Sequence, residues 1–228
     1  MKINIGPGGR WIKKGWKTIG NQGVYPSLKY KDKCDYFYDI LDMESLPFDD
    51  DTIELFYISH VLEHIPDKYI KHLFDEIYRC CEQSGGLRIV VPDVEMAYSK
   101  IKNNDLYWFN RIKSKSKPIE KFFDMFCQEK YKGEIINKIN KNDIYKNLGE
   151  MNMNDFFNHY TKNLTYNYRT QHHLNWFSFV KLRKMLYNSG FNHIYRMSYN
   201  TSNFYDVVNQ QIDFKNRINW SMFVEAIK

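Results

Sequence analysis

Apolar residues follow two rhythms along this chain. Lys2 to Ile5 is a short apolar strand that runs into Gly6-Pro7-Gly8-Gly9, and Trp16 to Ile19 predicts a second strand. Asp35 to Ile40 predicts a third, with Tyr36, Phe37 and Tyr38 as strand-favouring aromatics. Ile53 to Ser59 is mostly apolar, as a parallel strand covered on both faces should be. Between Asp67 and Glu82 the rhythm changes: Ile70, Leu73, Phe74, Ile77 and Tyr78 recur at helical spacing, with Cys80 and Cys81 inside the same pattern. Ser84-Gly85-Gly86 is expected to stop that helix and feed a strand from Leu87 to Val91, closed by Pro92-Asp93. Strand, helix and strand in this order argue for a parallel α/β sheet.

The pattern shifts again from about Ala97 to Gln171, where polar, aromatic-rich segments keep helical spacing with few turn signals. The expected organisation is a single domain with a core of residues 1–98 and 172–228 and a helical insertion over 99–171, which would cap the substrate site. Its aromatics Tyr107, Trp108, Phe122, Phe123, Phe156 and Phe157 read better as helical core than as pocket lining. The core then resumes. Phe177 to Tyr187 is an amphipathic helix, Ser189-Gly190 its stop, Phe191 to Met197 a strand, and Ile218 to Ile227 the last strand. Two late strands after the final helix suit an antiparallel pair at one edge of the sheet.

Composition narrows the function classes. In 228 residues, 43% hydrophobic and 17% aromatic content supplies a real core, which excludes the disordered class. The net charge of +6 invites a nucleic-acid reading. The lysines, however, are interleaved with acids, as in Lys29-Tyr30-Lys31-Asp32-Lys33, and the densest basic stretch, Arg111 to Lys121, has no RNA-module signature around it. A solvated lysine-rich surface is the better account. The cysteines Cys34, Cys80, Cys81 and Cys127 form no CxxC pair, which suits reduced thiols in the cytoplasm. The N-terminus turns glycine-rich too soon for a signal peptide, and no apolar run reaches the ~18 residues a membrane span needs.

Four motifs carry candidate chemistry, and all fall at the carboxyl ends of expected strands, where open α/β sheets bind ligands. They are Asn4-Ile5-Gly6-Pro7-Gly8-Gly9, then Asp42-Met43-Glu44-Ser45-Leu46-Pro47-Phe48, then Ser59-His60-Val61-Leu62-Glu63-His64, and Ser84-Gly85-Gly86-Leu87-Arg88-Ile89-Val90-Val91-Pro92-Asp93. Glycines in the first let a ligand approach the backbone. In this order the motifs resemble the class I S-adenosylmethionine-dependent methyltransferases, especially the small type 11 branch. His173, Phe177, Leu182, Leu186, Gly190-Phe191 and Phe223-Val224-Glu225-Ala226 extend the likeness. It covers residues 1–98 and about 172–228 and leaves the insertion unmatched.

The resemblance implies a Rossmann-like seven-stranded sheet, mostly parallel with an antiparallel last strand, and S-adenosyl-L-methionine as cofactor, released as S-adenosyl-L-homocysteine. By the same resemblance Gly6 and Gly8 face the methionine part, Asp42 and Met43 hold the adenine, and Ser59 and His60 line the sulfonium side. Two departures stand out. Gly20 occupies the place of the acid that holds the ribose hydroxyls, leaving Asn21 or Gln22 to substitute with weaker neutral hydrogen bonds. The stretch from Gly6 to Trp16 is also too short for a full first crossover helix. The expected activity is methylation of a small molecule or glycan, by preference at a hydroxyl, with His60 or His173 as general base. A non-catalytic binding or scaffold protein on the same fold is the alternative kept alive by Gly20, and an RNA methyltransferase is favoured only by the net charge.

His60-Val61-Leu62-Glu63-His64 also matches the inverted zinc-protease pattern H-x-x-E-H. That chemistry needs both histidines on one helical face, and here a strand precedes the motif and Pro66 follows it. No metal is therefore expected, and His64 is expected to hydrogen-bond locally. His172 and His173 introduce the last helix. Ser178 stands where the family carries an acid, so no His–Asp pair is assumed.

Overall fold

A computed structural model of the chain describes residues 1–8, 13–21, 34–112, 115–127, 130–131, 134–135, 140–164 and 172–228. Gly9, Gln22 and the lysine-rich segment around Lys31 lie outside them. In chain order the first strands are β1 (Lys2–Ile5), β2 (Trp16–Gly20), β3 (Tyr36–Phe37) and β4 (Ile53–Ser59). Then come α1 (Asp67–Cys80), β5 (Cys81–Pro92) and α2 (Val94–Lys102). The insertion contributes α3 (Pro118–Asp124), a small ribbon of β6 (Lys130–Tyr131) and β7 (Glu134–Ile135), α4 (Lys141–Glu150) and α5 (Met153–Thr161). The chain closes with α6 (Phe179–Tyr187), β8 (His193–Met197), α7 (Tyr205–Asn209) and β9 (Ser221–Ile227).

Among the described residues the main sheet has seven strands in the order β3-β2-β1-β4-β5-β9-β8. The first five are parallel, and β9 runs antiparallel to both of its neighbours. This is the Rossmann-like order with an antiparallel last strand. Strand order reverses between β1 and β4, which makes the crevice at their carboxyl ends the natural ligand site.

Side-chain alternation splits the strands between two faces. Ile3, Ile5, Phe56, Ile58, Ile89 and Val91 pack under Ile70, Leu73, Phe74 and Ile77 of α1 and Leu182 and Leu186 of α6. Leu55, Tyr57, Val90 and Phe223 point the other way, against Trp16, Val207 and Ile212. A third cluster, holding Trp108, Phe109, Phe122, Phe123, Phe156 and Phe157, reaches from Val94 and Ala97 of α2 to Trp176. The helical-core account thus fits five of the six insertion aromatics, while Tyr107 is 78% exposed.

Several boundaries differ from the sequence expectation, each for a local reason. The α1 helix ends at Cys80, so Cys81 opens β5 instead of extending the helix. Ser84-Gly85-Gly86 therefore lies inside a strand, where the register against β4 shifts and Ser84 takes φ 66°. Gly86 is required by close approach: a Cβ there would sit 2.1 Å from the Ala226 carbonyl oxygen. The third strand shortens to two residues because Asp39 caps a 3-10 turn at Ile40–Asp42, its carboxylate accepting from the Leu41 N–H at 3.0 Å. A second 3-10 turn at Lys215–Arg217 delays the last strand to Ser221.

Candidate active site

The crevice is floored by backbone. Gly6, just past β1, takes φ 67°, and its N–H donates to the Ile19 carbonyl at 2.9 Å. A Cβ at Gly6 would lie 2.6 Å from Val61 Cγ2, so no side chain fits between the two loops. Gly8 (φ 58°) has nothing within 4 Å of a built Cβ, and Gly20 faces the Gly6 backbone at 3.8 Å. The unexpected glycine at the end of β2 thus lies beside the Gly6 backbone, with Cys34 Sγ 3.7 Å from where its Cβ would be.

The rim beside that floor is acidic after all. Asn21 donates its side-chain amide to the Asp39 carboxylate, which belongs to the segment following β3. Asp42 is exposed and Met43, at φ 54°, ends the 3-10 turn, so both stand on an open loop. The α1 helix fixes the segment beyond them. Leu46 N–H donates to Glu76 at 2.8 Å, and Arg79 donates to the Phe48 carbonyl at 3.0 Å and to Glu76 at 2.7 Å.

The opposite wall begins at Ser59, the end of β4. His60 follows at φ 55°, a left-handed conformation costly for most side chains though less so for His, and its N–H donates to the Val90 carbonyl at 2.9 Å. This backbone turn swings the imidazole inward, with 7% of its side chain exposed. Its Nε2 shares a 2.9 Å hydrogen bond with Ser221 Oγ, its ring packs on Trp220 at 4.7 Å between centroids, and its Nδ1 stands 2.9 Å from Glu63 Oε1.

Glu63 is 1% exposed, yet neither carboxylate oxygen has an aligned hydrogen-bond partner. The nearest polar neighbour is His60 Nδ1, 2.9 Å from Oε1 but outside hydrogen-bond alignment. His173 Nε2 approaches the same oxygen at 3.8 Å. His64 does not bond locally as expected: its Nδ1–H donates to the His172 carbonyl at 2.8 Å, and its ring meets His173 edge-on at 4.7 Å. The return leg from the insertion is pinned here because the Leu174 and Asn175 N–H groups both donate to the Glu63 carbonyl, at 2.9 and 3.1 Å.

Burial acts against charge throughout this cluster. It pushes the imidazoles of His60 and His173 toward the neutral form and lowers the Arg217 guanidinium. Burial alone would raise Glu63, but His60 first, with His64 and His173, holds it down to about 2. The direction that geometry supports is an ionised carboxylate at neutral pH beside neutral imidazoles.

Of the residues expected to bind cofactor, Gly6, Gly8, Gly20, Asn21, Ser59 and His60 gather around the ends of β1, β2 and β4, with Asp42 and Met43 on the loop after β3. His60 and His173 both approach Oε1 of Glu63, at 2.9 and 3.8 Å. Asp39, Trp220 and Ser221 join the site with no mark of that role in the sequence, and Glu63, seen there only as part of the H-x-x-E-H pattern, stands beside the histidines with its carboxylate unaligned. For Glu63 there was a signal, since a Glu three residues after one His and adjacent to another must share a turn with both.

The residues present fit S-adenosylmethionine: left-handed glycine turns at Gly6 and Gly8 after β1, an Asn–Asp pair at the β2–β3 rim and an open acidic loop beyond it. The sequence profile described as "Methyltransferase domain" matches residues 23–89. No curated protein sequence matches the chain. Among solved structures, a SAM-dependent methyltransferase from Methanosarcina mazei is 14% identical, with TM-score 0.49, over 100% of this chain and 91% of that one. An S-adenosylmethionine dependent methyltransferase from Mesorhizobium loti is 12% identical, with TM-score 0.45, over 100% and 90%. A protein from Bordetella parapertussis described as a possible exported protein is 10% identical, with TM-score 0.42, over 100% and 61%. The chain thus spans less than two thirds of that relative, and 50% of a further methyltransferase solved in its apo form. Identities and scores this low say nothing about which molecules this protein acts on. No described helix is long and apolar enough to cross a membrane. A methyltransferase-domain sequence over residues 23–89, carried on a seven-stranded Rossmann-like sheet, makes the chain consistent with the class I, type 11 methyltransferases, whose cofactor is S-adenosylmethionine.

Proposed function

We propose that the protein transfers a methyl group from S-adenosylmethionine to a hydroxyl of a small molecule or glycan. The observation that carries this reading is the gathering, at the ends of adjacent strands, of the left-handed turn at Gly6 and the buried, carboxylate-backed imidazole of His60. Gly6, Gly8 and Gly20 would hold the cofactor's main body, Asn21 with Asp39 its ribose, Asp42 and Met43 its adenine, and Ser59 its reactive end. When bound, the cofactor supplies a methyl group already activated on a sulfonium.

The chain's own residues then have two tasks. They must align the acceptor oxygen and exclude water, a task we assign to the insertion. They must also take the hydroxyl proton. His60 is suited to this: its ring is fixed by Trp220 and Ser221, and Glu63 at 2.9 Å stabilises the imidazolium formed by proton uptake. His173, 3.8 Å from the same Glu63 oxygen, is the other candidate base.

Calorimetry with S-adenosylmethionine and S-adenosylhomocysteine tests the cofactor site. Binding weakened by Asp42→Ala and by Asp39→Asn supports it. Absence of binding by folded protein would favour the non-catalytic reading, for which Gly20 in place of an acid is the specific observation. Once an acceptor is found, His60→Gln should lower turnover by about 10²- to 10⁴-fold. Unchanged turnover in His60→Gln, and separately in His173→Gln, would remove each base in turn.

A further inference from the structure

We propose that Glu63, His64 and His173 form a binding site for one zinc-like divalent cation at the acceptor side of the crevice. One ligand atom from each residue lies within 4.8 Å of the other two. Ligands about 2.0–2.2 Å from a tetrahedral zinc stand roughly 3.4 Å apart, so side-chain adjustments of about an ångström close the set. Glu63 and His64 are neighbours in one 3-10 turn, Leu62–His64, and His173 is brought to them by the amide bonds of Leu174 and Asn175 to the Glu63 carbonyl. The trio differs from the one the H-x-x-E-H pattern would use. A helical face is not needed, because the second histidine ligand comes from the far end of the insertion.

Three observations point to a ligand and not to a self-contained cluster. Both Glu63 oxygens are buried without an aligned partner, a costly state for a carboxylate that a cation would relieve. The His64 Nδ1–H bond to the His172 carbonyl leaves its Nε2 lone pair free and fixes the ring, the outer support that metal-bound imidazoles characteristically have. The donor set of two imidazoles and one carboxylate suits zinc or cobalt and leaves a fourth position open. One rival account, a hydrogen bond from His60 Nδ1 at 2.9 Å, reaches only Oε1 and leaves Oε2 unpartnered; the other is neutralisation of Glu63 by Arg217. That guanidinium is stacked on Trp220 at 4.9 Å, its Nε also lacks a partner, and it makes no hydrogen bond to the carboxylate. An acceptor oxygen in the open position would be held beside His60, a consequence that rests on the methyl-transfer reading. The binding of the cation itself does not.

The test is calorimetry of zinc and, separately, cobalt into the tag-free, chelator-treated full chain, with no cofactor or acceptor present. We expect one equivalent per chain, bound at least about tenfold more weakly by Glu63→Gln and by His173→Gln, since loss of even an outer partner costs about 10- to 100-fold. His193→Gln, on the exposed start of β8, should bind as the parent does. No binding, or binding that both site variants leave unchanged, would overturn the proposal while leaving the cofactor titration untouched. Should the variants fail to fold, pulsed electron paramagnetic resonance of a paramagnetic ion bound to the parent chain decides. Two coordinated imidazoles support the site, and one or none overturns it.

Discussion

Two buried charge clusters adjoin the central sheet, and they are finished in opposite ways. Around Arg88, in the middle of β5 and fully buried, the guanidinium pairs with Glu225 directly across on β9 at 3.0 Å, with Asp213, and with the carbonyls of Thr201 at 2.9 Å and Ser198 at 3.2 Å. Glu225 in turn accepts from Ser202, from the Asn203 N–H at 2.9 Å and from its side-chain amide at 3.0 Å. Around Glu63, as deeply buried, the carboxylate has charged and aromatic neighbours but no aligned donor. Burial alone therefore does not mark function. A charge whose every lone pair and N–H is used belongs to the scaffold, and one left open at a strand's carboxyl end is positioned for something that arrives later.

Perturbation of the two clusters should separate them. The largest effect is expected from Arg88→Leu, which strands two buried carboxylates at once. It should destabilise the protein by about 3–5 kcal/mol, measured by denaturant unfolding, and a loss under about 1 kcal/mol would break the comparison. Glu225→Gln is milder: its amide turns a donor toward one of the four groups that now donate to the carboxylate. About 1–3 kcal/mol should be lost. Glu63→Gln in metal-free protein removes an unpartnered charge and should shift stability by no more than about 1 kcal/mol, while turnover falls sharply. A destabilisation as large as that of Arg88→Leu would make Glu63 a scaffold residue. The smallest effect concerns Glu76, which the Arg79 hydrogen bond holds below the ordinary carboxylate range against the pull of burial, with the Leu46 N–H assisting. Its contribution is complete above the unfolded value near 4.5 and is lost as pH falls through the lower folded value. Glu76→Gln should flatten the acid limb of the stability–pH curve, and an unchanged limb would show the contacts to be idle.

Much of the sheet was legible in the sequence because its signals are local. Ile53 to Ser59 matched β4 residue for residue, since a doubly covered parallel strand has a nearly unbroken apolar run. Ser84-Gly85-Gly86 misled because glycines report close backbone approach as readily as helix termination, and the partner at Ala226 lies far along the chain. The candidate site was legible as a set of strand ends but not as an assembly. Nothing near Asn21 announces Asp39, and the meeting of His64 with His173 depends on a return leg that only the tertiary fold brings back.

That return leg has a consequence for how the insertion relates to the rest of the protein. The insertion leaves the sheet at α2 and is moored again where the Leu174 and Asn175 amides bind the Glu63 carbonyl. Both of its ends are thus held by the core. Lengthening it adds only a slowly growing closure entropy, but replacing it would also remove the cluster that packs Phe122, Phe156 and Phe157 against α2 and Trp176. Length is thus easily varied in this part of the chain, whereas the apolar cluster beneath it is not.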